Sequence, residues 1–271
     1  FTADPVLPTA VRREGGNIDL LAAFGAQVGS DEIREWARLA NRNVPILHTH
    51  DRFGDRIDEV EYHPAYHSML NLAVEAGIHC MRYEQPAGDG GYVTRNALMG
   101  LITQIEMGHG CPTSMTSAAL TTLRYQPELA EIWEPLILSR NYEHQLRAPQ
   151  HKSGVLIGMG MTEKQGGSDV RANTSTAVAC NGGGPGGEYR LEGHKWFTSA
   201  PMCDAFLILA YAPKGMSCFL VPRVLPDGIR NSLRFMRLKD KLGNRSNASA
   251  ELEFDDTAAW MVGEEGRGIP T

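Results

Sequence analysis

The apolar residues of this chain change their spacing near residue 150, and that change constrains the fold more than any other feature. Before it they recur every three or four positions: Ile33, Trp36, Ala37 and Ala40; Met69, Leu70, Ala73 and Val74; Leu98, Leu101, Ile102 and Ile105. Such a period places them on one face of a helix. Past His151 they fall instead into short segments at 155–159, 174–179, 189–191, 206–210, 218–221 and 250–254. Turn clusters at 181–187 and 213–215 stand between them. Strands at this spacing, with no helical stretch between, predict an antiparallel β-sandwich or barrel. Helices first and strands second give an α+β chain: a helical N-terminal domain over 1–150 and a β-rich domain over 151–271.

Charge divides the chain at the same place. Residues 1–150 carry 12 arginines, no lysine and 19 acids, a net of −7, whereas residues 151–271 carry 14 bases and 13 acids, a net of +1. The total of −6 argues against a nucleic-acid partner for these residues. The longest apolar run, 205–212, is far short of the ~20 residues of a membrane span. No signal-peptide pattern opens the chain, which begins at Phe1. Five scattered cysteines with no C-x-x-C pair fit a reducing cytoplasm better than a disulfide framework or a zinc site.

Along the helical half, residues 1–16 read as an extended lead-in, and a short helix from Ile18 closes at Gly25 or Gly29. Ser30 caps the next, with Asp31 and Glu32 in its first turn. Residues 41–61 read as a polar loop, Pro64 starts a helix that stops at Gly77, and 86–91 is a turn. Further helices cover the Leu98 and Pro112 regions, and Pro135 is expected to bend or break the last, which Pro127 starts. On this reading the half is all helix.

The candidate chemistry lies in the other half. Met159-Gly160-Met161 is apolar and runs into Thr162-Glu163-Lys164-Gln165-Gly166-Gly167-Ser168-Asp169; some thirty residues on comes Lys195-Trp196-Phe197-Thr198-Ser199. A buried strand entering a glycine-rich loop exposes backbone N–H groups and hydroxyls, and Trp196 adds an aromatic wall. A flat ligand that also carries phosphates suits this pairing.

The two strings resemble the flavin-contacting signature of the acyl-CoA dehydrogenase family, T-E-x-x-x-G-S-D and W-I-T/S. Gly158 to Val170 and Leu238 to Ser249 resemble its AidB-like, alkylation- and adaptive-response branch. The resemblance implies an FAD-dependent flavoprotein oxidoreductase acting on CH–CH groups of acyl thioesters, with Met159, Met161, Thr162, Gly167, Ser168, Trp196, Phe197, Thr198 and Ser199 as cofactor-binding residues. Met161 and Thr162 would line the ring, Thr198 would bond its N5/O4 edge, Trp196 would wall it, and Ser168 would reach the pyrophosphate or a thioester. It also implies an acyl-CoA-like small-molecule ligand and a homo-oligomer, a tetramer when full length. Residues 260–271 resemble the junction into a C-terminal helical domain, so the chain reads as a fragment. In the family that further domain supplies the catalytic base, and in the AidB branch the DNA contacts, so the fragment is expected to be inactive. The alternative the branch implies is a DNA-associated protective flavoprotein with little dehydrogenase activity.

Other patterns carry less. Gly158 and Gly160 lack the third glycine and the helix of a dinucleotide fingerprint, and glycines 182–187 lack the Lys-Ser/Thr of a P-loop. His48, His50, His63 and His67 read as solvated or capping residues, not as a metal cluster. Arg230, Arg234, Arg237, Lys239, Lys241 and Arg245 read as a solvated strand face, or else as a surface for a CoA phosphate, a partner subunit or nucleic acid. Neither Glu163 nor Asp169 is assigned as a base, and the lysine and glutamine at 164 and 165 depart from the small or proline residues usual in the family.

Overall fold

Pro8 and Asp4 make the start of the chain helical, where an extended lead-in was expected. The Asp4 carboxylate accepts the N–H groups of Val6 and Leu7 at 2.7 Å, and Pro8 sits in the first turn of α1 (Leu7–Arg13). Proline is pre-shaped for that turn, since its missing N–H has no helical partner there. The structure is a computed structural model that describes residues 1–84 and 88–271; the expected turn at 86–91 therefore lies partly outside the described residues.

Helices α2 (Ile18–Val28), α3 (Asp31–Arg42), α4 (Pro64–Glu75), α5 (Met81–Glu84), α6 (Gly91–Thr103), α7 (Gly110–Leu123) and α8 (Pro127–Ile137) complete the helical part. Ser30 caps α3 as its sequence predicts, its hydroxyl accepting the Ile33 N–H. Leu21, Phe24, Ile33, Met69, Leu98 and Ile102 meet in one buried cluster. Pro135 does not break α8, which runs on to Ile137, because only its last turn is affected and the Leu138 N–H still reaches the Glu134 carbonyl. Residues 41–61 are not a simple loop either. They hold the antiparallel hairpin β1 (Ile46–His50) and β2 (Arg56–Glu61), whose turn Asp51 closes by accepting the Phe53 and Asp55 N–H groups.

Seven strands follow: β3 (Ile157–Gly160), β4 (Thr176–Ala179), β5 (Glu188–Ser199), β6 (Ala205–Ala212), β7 (Gly215–Pro222), β8 (Leu233–Leu238) and β9 (Ser249–Val262). Strand β6 pairs with β4 and β7, β4 with β5, β5 with β9, and β9 with β7, which closes the sheet on itself as a barrel. The pairings are antiparallel except β3–β6 and β4–β6, which are parallel, so the sheet is mixed. Strand β8 hangs on β9 outside the ring. Residues 233–238 contain it because Leu233 and Phe235 turn inward between arginines.

One core joins the two halves. Tyr66 and Leu70 of α4 pack into the same cluster as Phe206, Ile208, Phe219 and Phe235 of the barrel. The buried Thr116 of α7 accepts the Ile157 N–H at 2.9 Å and donates to the Pro112 carbonyl at 2.7 Å, so a helix side chain completes the first hydrogen bond of β3.

Candidate functional site

Backbone pairing brings the two singled-out stretches together. Past Gly160 the chain runs beside the end of β5: Thr162 bridges Phe197, and its carbonyl accepts the Trp196 N–H at 2.8 Å. Gly160 is required by this closeness, since a Cβ there would lie 2.7 Å from the Ile208 side chain and 3.0 Å from the Thr198 hydroxyl. A Cβ on Gly167 would approach the Thr162 hydroxyl to 2.9 Å, so the loop folds back onto its own first hydroxyl.

A buried ion pair holds the loop from beneath. Glu163 and Lys195 are both sealed from solvent, with Nζ to Oε1 at 2.7 Å. The same carboxylate accepts the Thr174 N–H at 2.6 Å, the Thr174 hydroxyl at 3.0 Å and the Ser175 N–H at 3.2 Å. Burial alone would raise the Glu163 carboxyl, but the bonds from Lys195, Ser175 and Thr174 outweigh it and bring it down to about 2. The same burial pushes the Lys195 amine down, against the pull of Glu163. The two ends therefore pull in opposite senses on stability; an ionised Glu163 at neutral pH follows from its four donors. This acid is a fastening, with no oxygen left to take a proton from a ligand. Asn173 adds a second tie, donating to the Met161 carbonyl at 2.9 Å while Gln165 donates to its side-chain oxygen at 2.7 Å.

Above this fastening the surface is apolar and open. Met161 is 45% exposed and Phe197 43%. Gly166, with φ of +106°, turns the chain, and Gly167, Ser168 and Asp169 beyond it are exposed. Thr198 is fully buried and its hydroxyl finds no partner among the described residues. Ser199 faces Ser249 across the β5–β9 pair, hydroxyl to hydroxyl at 3.3 Å. Met159 is half-buried against the cluster that contains Ile157 and Leu207.

Trp196 takes a different setting. It borders a groove of about 380 Å³ with Lys164, His194, Met236 and Glu251. The Lys239 ammonium lies 3.4 Å from its ring centroid, and Lys164 Nζ and the Arg237 guanidinium carbon each lie 5.6 Å away. Arg237 and Lys239 share Glu251, at 2.6 and 2.5 Å. A cation therefore covers one face of this indole.

The remaining patterns resolve locally. His63 caps α4 by accepting the Ala65 N–H, and His48 bonds Glu61 at 2.8 Å. Among the described residues no group of three or more His, Cys, Asp or Glu could hold a metal ion, and no helix is long and apolar enough to cross a membrane. The basic run lies before, on and beyond β8, where Arg230 pairs with Glu59, Arg234 with Asp255, and Arg237 and Lys239 with Glu251. The Glu163–Lys195 fastening was missed in the sequence, although a signal existed. A period of two from Tyr189 and Leu191 places Lys195 on the inward face, where a lysine needs a carboxylate.

Residues 1–144 match the family described as adaptive response protein AidB N-terminal domain, and residues 158–257 match acyl-CoA dehydrogenase, middle domain. Putative acyl-CoA dehydrogenase AidB of Escherichia coli (strain K12) is 47% identical over 99% of this chain and 50% of its own length. The crystal structure of Caenorhabditis elegans ACDH-11 in complex with C11-CoA superposes with a TM-score of 0.85 at 28% identity, covering 99% of this chain and 47% of that one. An acyl-CoA dehydrogenase from Bacillus anthracis complexed with FAD shares the fold, with a TM-score of 0.64 at 17% identity over 92% of this chain and 37% of that one. The chain spans about half the length of the curated relatives it matches.

Proposed function

The chain belongs to the acyl-CoA dehydrogenase superfamily, in its AidB-like branch, and on that footing we propose that it seats FAD against 161–168 and 196–199 and serves the oxidation of an acyl-CoA-like thioester. One observation carries this reading: two exposed apolar side chains, Met161 and Phe197, stand beside the open Gly166-Gly167 backbone and the Ser168 hydroxyl, on a loop fastened by Glu163 and Lys195. These residues fit the group. An apolar plate suits a ring system, unshielded N–H groups and a hydroxyl suit charged oxygens, and the Thr198 hydroxyl is a polar atom that the described residues leave unsatisfied.

When bound, the flavin supplies the two-electron redox chemistry. The chain's own part is to hold and screen. Met161 and Phe197 exclude water from one side, Gly167 and Ser168 meet the anionic oxygens, and the Glu163–Lys195 pair keeps the loop from moving away. Neither Glu163, whose oxygens are all engaged, nor the exposed Asp169 is given the role of base. Within the proposal the division between helical and β-rich domains falls near residue 150. The whole protein is a homo-oligomer, and five free cysteines suit a reducing cytoplasm.

A second reading keeps the flavin and sets aside fast turnover: a protective protein of the adaptive response that meets DNA through other residues. The match of residues 1–144 to the adaptive response protein AidB N-terminal domain favours it. Both readings need the flavin. Trp196→Ala should lower FAD retention after gel filtration while Lys214→Ala leaves it unchanged, and equal retention by the two variants would remove Trp196 from the site. Assay of the whole protein with FAD, an artificial electron acceptor and a panel of acyl-CoA thioesters then separates the readings, turnover favouring the dehydrogenase.

A further inference from the structure

Most bases around the β7–β8 edge are matched with acids, and among the described residues one buried arginine is not. Arg56 forks onto Asp58 at 2.7 and 3.0 Å; Arg230 pairs with Glu59, Arg234 with Asp255, and the buried Lys152 with Asp204. Arg223, which follows β7, has no carboxylate within 4 Å among the described residues. It is only 8% exposed. Its single hydrogen bond runs from one Nη to the Asp58 carbonyl at 2.7 Å, and the guanidinium carbon stands 4.8 Å from the Phe235 ring centroid. A guanidinium has five donors and stays charged, so burying it without a counter-ion is costly. Burial, and after it the neighbouring Arg230, push Arg223 down to about 10, against the pull of the more distant Asp204, Glu59 and Asp58.

Arg223 also lies where two cavities adjoin. One, of about 310 Å³, is bordered by Arg56, Arg230 and Arg234; the other, of about 510 Å³, by Tyr62, His67, His144 and Met202. The second is walled by rings: His67 and His144 lie 4.4 Å apart, and Tyr62 stacks on Tyr66 at the same distance. The acids at its mouth are already engaged, Glu59 by Arg230 and Glu61 by His48. Neither cavity includes a residue of 159–168 or 196–199.

We propose that Arg223 anchors a second ligand site, for a small aromatic acid whose carboxylate or phosphate takes the free edge of the guanidinium and whose ring lies among Tyr62, His144 and Met202. The two anionic groups share the chemistry an arginine fork reads. The site stands independently of the flavin reading.

The test is thermal unfolding and calorimetric titration of the purified protein with phenyl phosphate, benzoate and inorganic phosphate, in the natural sequence and as Arg223→Met and Arg223→Lys. Phenyl phosphate or benzoate should bind and raise Tm, and whichever does so identifies the preferred anion. Arg223→Met should be about as stable as the natural protein without ligand, because a buried charge with no carboxylate in contact has gone. It should lose affinity by roughly tenfold or more, with Arg223→Lys falling between. No binding of either aromatic acid at millimolar concentration by the natural protein overturns the proposal even if the variants fail to fold. Equal binding by Arg223→Met overturns it too, and inorganic phosphate binding as well as phenyl phosphate would remove the aromatic wall from it.

Discussion

Glu163 shows how an acid beside a candidate ligand loop differs from one placed to take a proton. An acid beside a flavin-type loop invites the role of base, yet a base needs a free oxygen within reach of its proton. Both oxygens of Glu163 are held by Lys195, Thr174 and Ser175. Removing one partner of a buried pair costs about 3–5 kcal/mol, since the other charge stays behind. Lys195→Met should therefore lower unfolding free energy in urea by about that much and release the loop; a loss under ~1 kcal/mol would show the pair to be incidental. The pH response has a definite sign. Glu163 lies at about 2 in the folded protein, below its ordinary 4.5. Its contribution is present above about 4.5 and lost as pH falls toward 2. Urea titrations from pH 5 to pH 2.5 should show Glu163→Gln losing less stability on acidification than the natural protein, and parallel curves would refute the assignment.

At the scale of elements, β3 is where the helices, the barrel and the loop meet, so substitutions there should be felt most. Gly160→Ala forces a methyl against Ile208 and Thr198 and should cost about 1–3 kcal/mol. Gly243→Ala meets nothing within 4 Å and should stay within ~0.5 kcal/mol of the natural protein. Thr116→Val strips the Ile157 N–H of its acceptor, at about 1–3 kcal/mol. Chemical denaturation of the three variants checks this order, and a neutral Thr116→Val would mean that α7 and β3 are not coupled through that bond. The elements legible in the sequence were those with a strong apolar period or a cap: α3 behind Ser30, α4 behind Pro64, and strands β6 and β7. The hairpin β1–β2 was not, because it buries little beyond Asp58, its other positions being exposed or half-buried, and it is tied on by Arg56 reaching the Phe235 carbonyl. Strand β8 hid behind its arginines, which masked the Leu233–Phe235 alternation. The wording of 159–169 was plain in the sequence, and the period of two turned Lys195 inward, but which acid it meets there, Glu163, is a long-range contact that local spacing does not name.

At the scale of the whole molecule, the continuous core through Tyr66, Leu70, Phe206 and Phe235 ties the helices to the barrel. The net charge of −6, with the bases of 230–239 paired to acids, leaves few cations for phosphates. The 271-residue chain should accordingly bind duplex DNA no tighter than micromolar near physiological salt, since such binding rests on several neutralised phosphates. A mobility shift at sub-micromolar protein in that salt would contradict this. The proposed joint hold of 161–168 and 196–199 on a flavin underlies the rest. It is tested most directly by incubating the purified protein with FAD, removing free FAD by gel filtration and recording the visible spectrum. A flavin band should elute with the natural protein and be much reduced in Met161→Asp, where a charge replaces the apolar plate. A flavin-free spectrum at saturating FAD, or an equal band in both proteins, would contradict it.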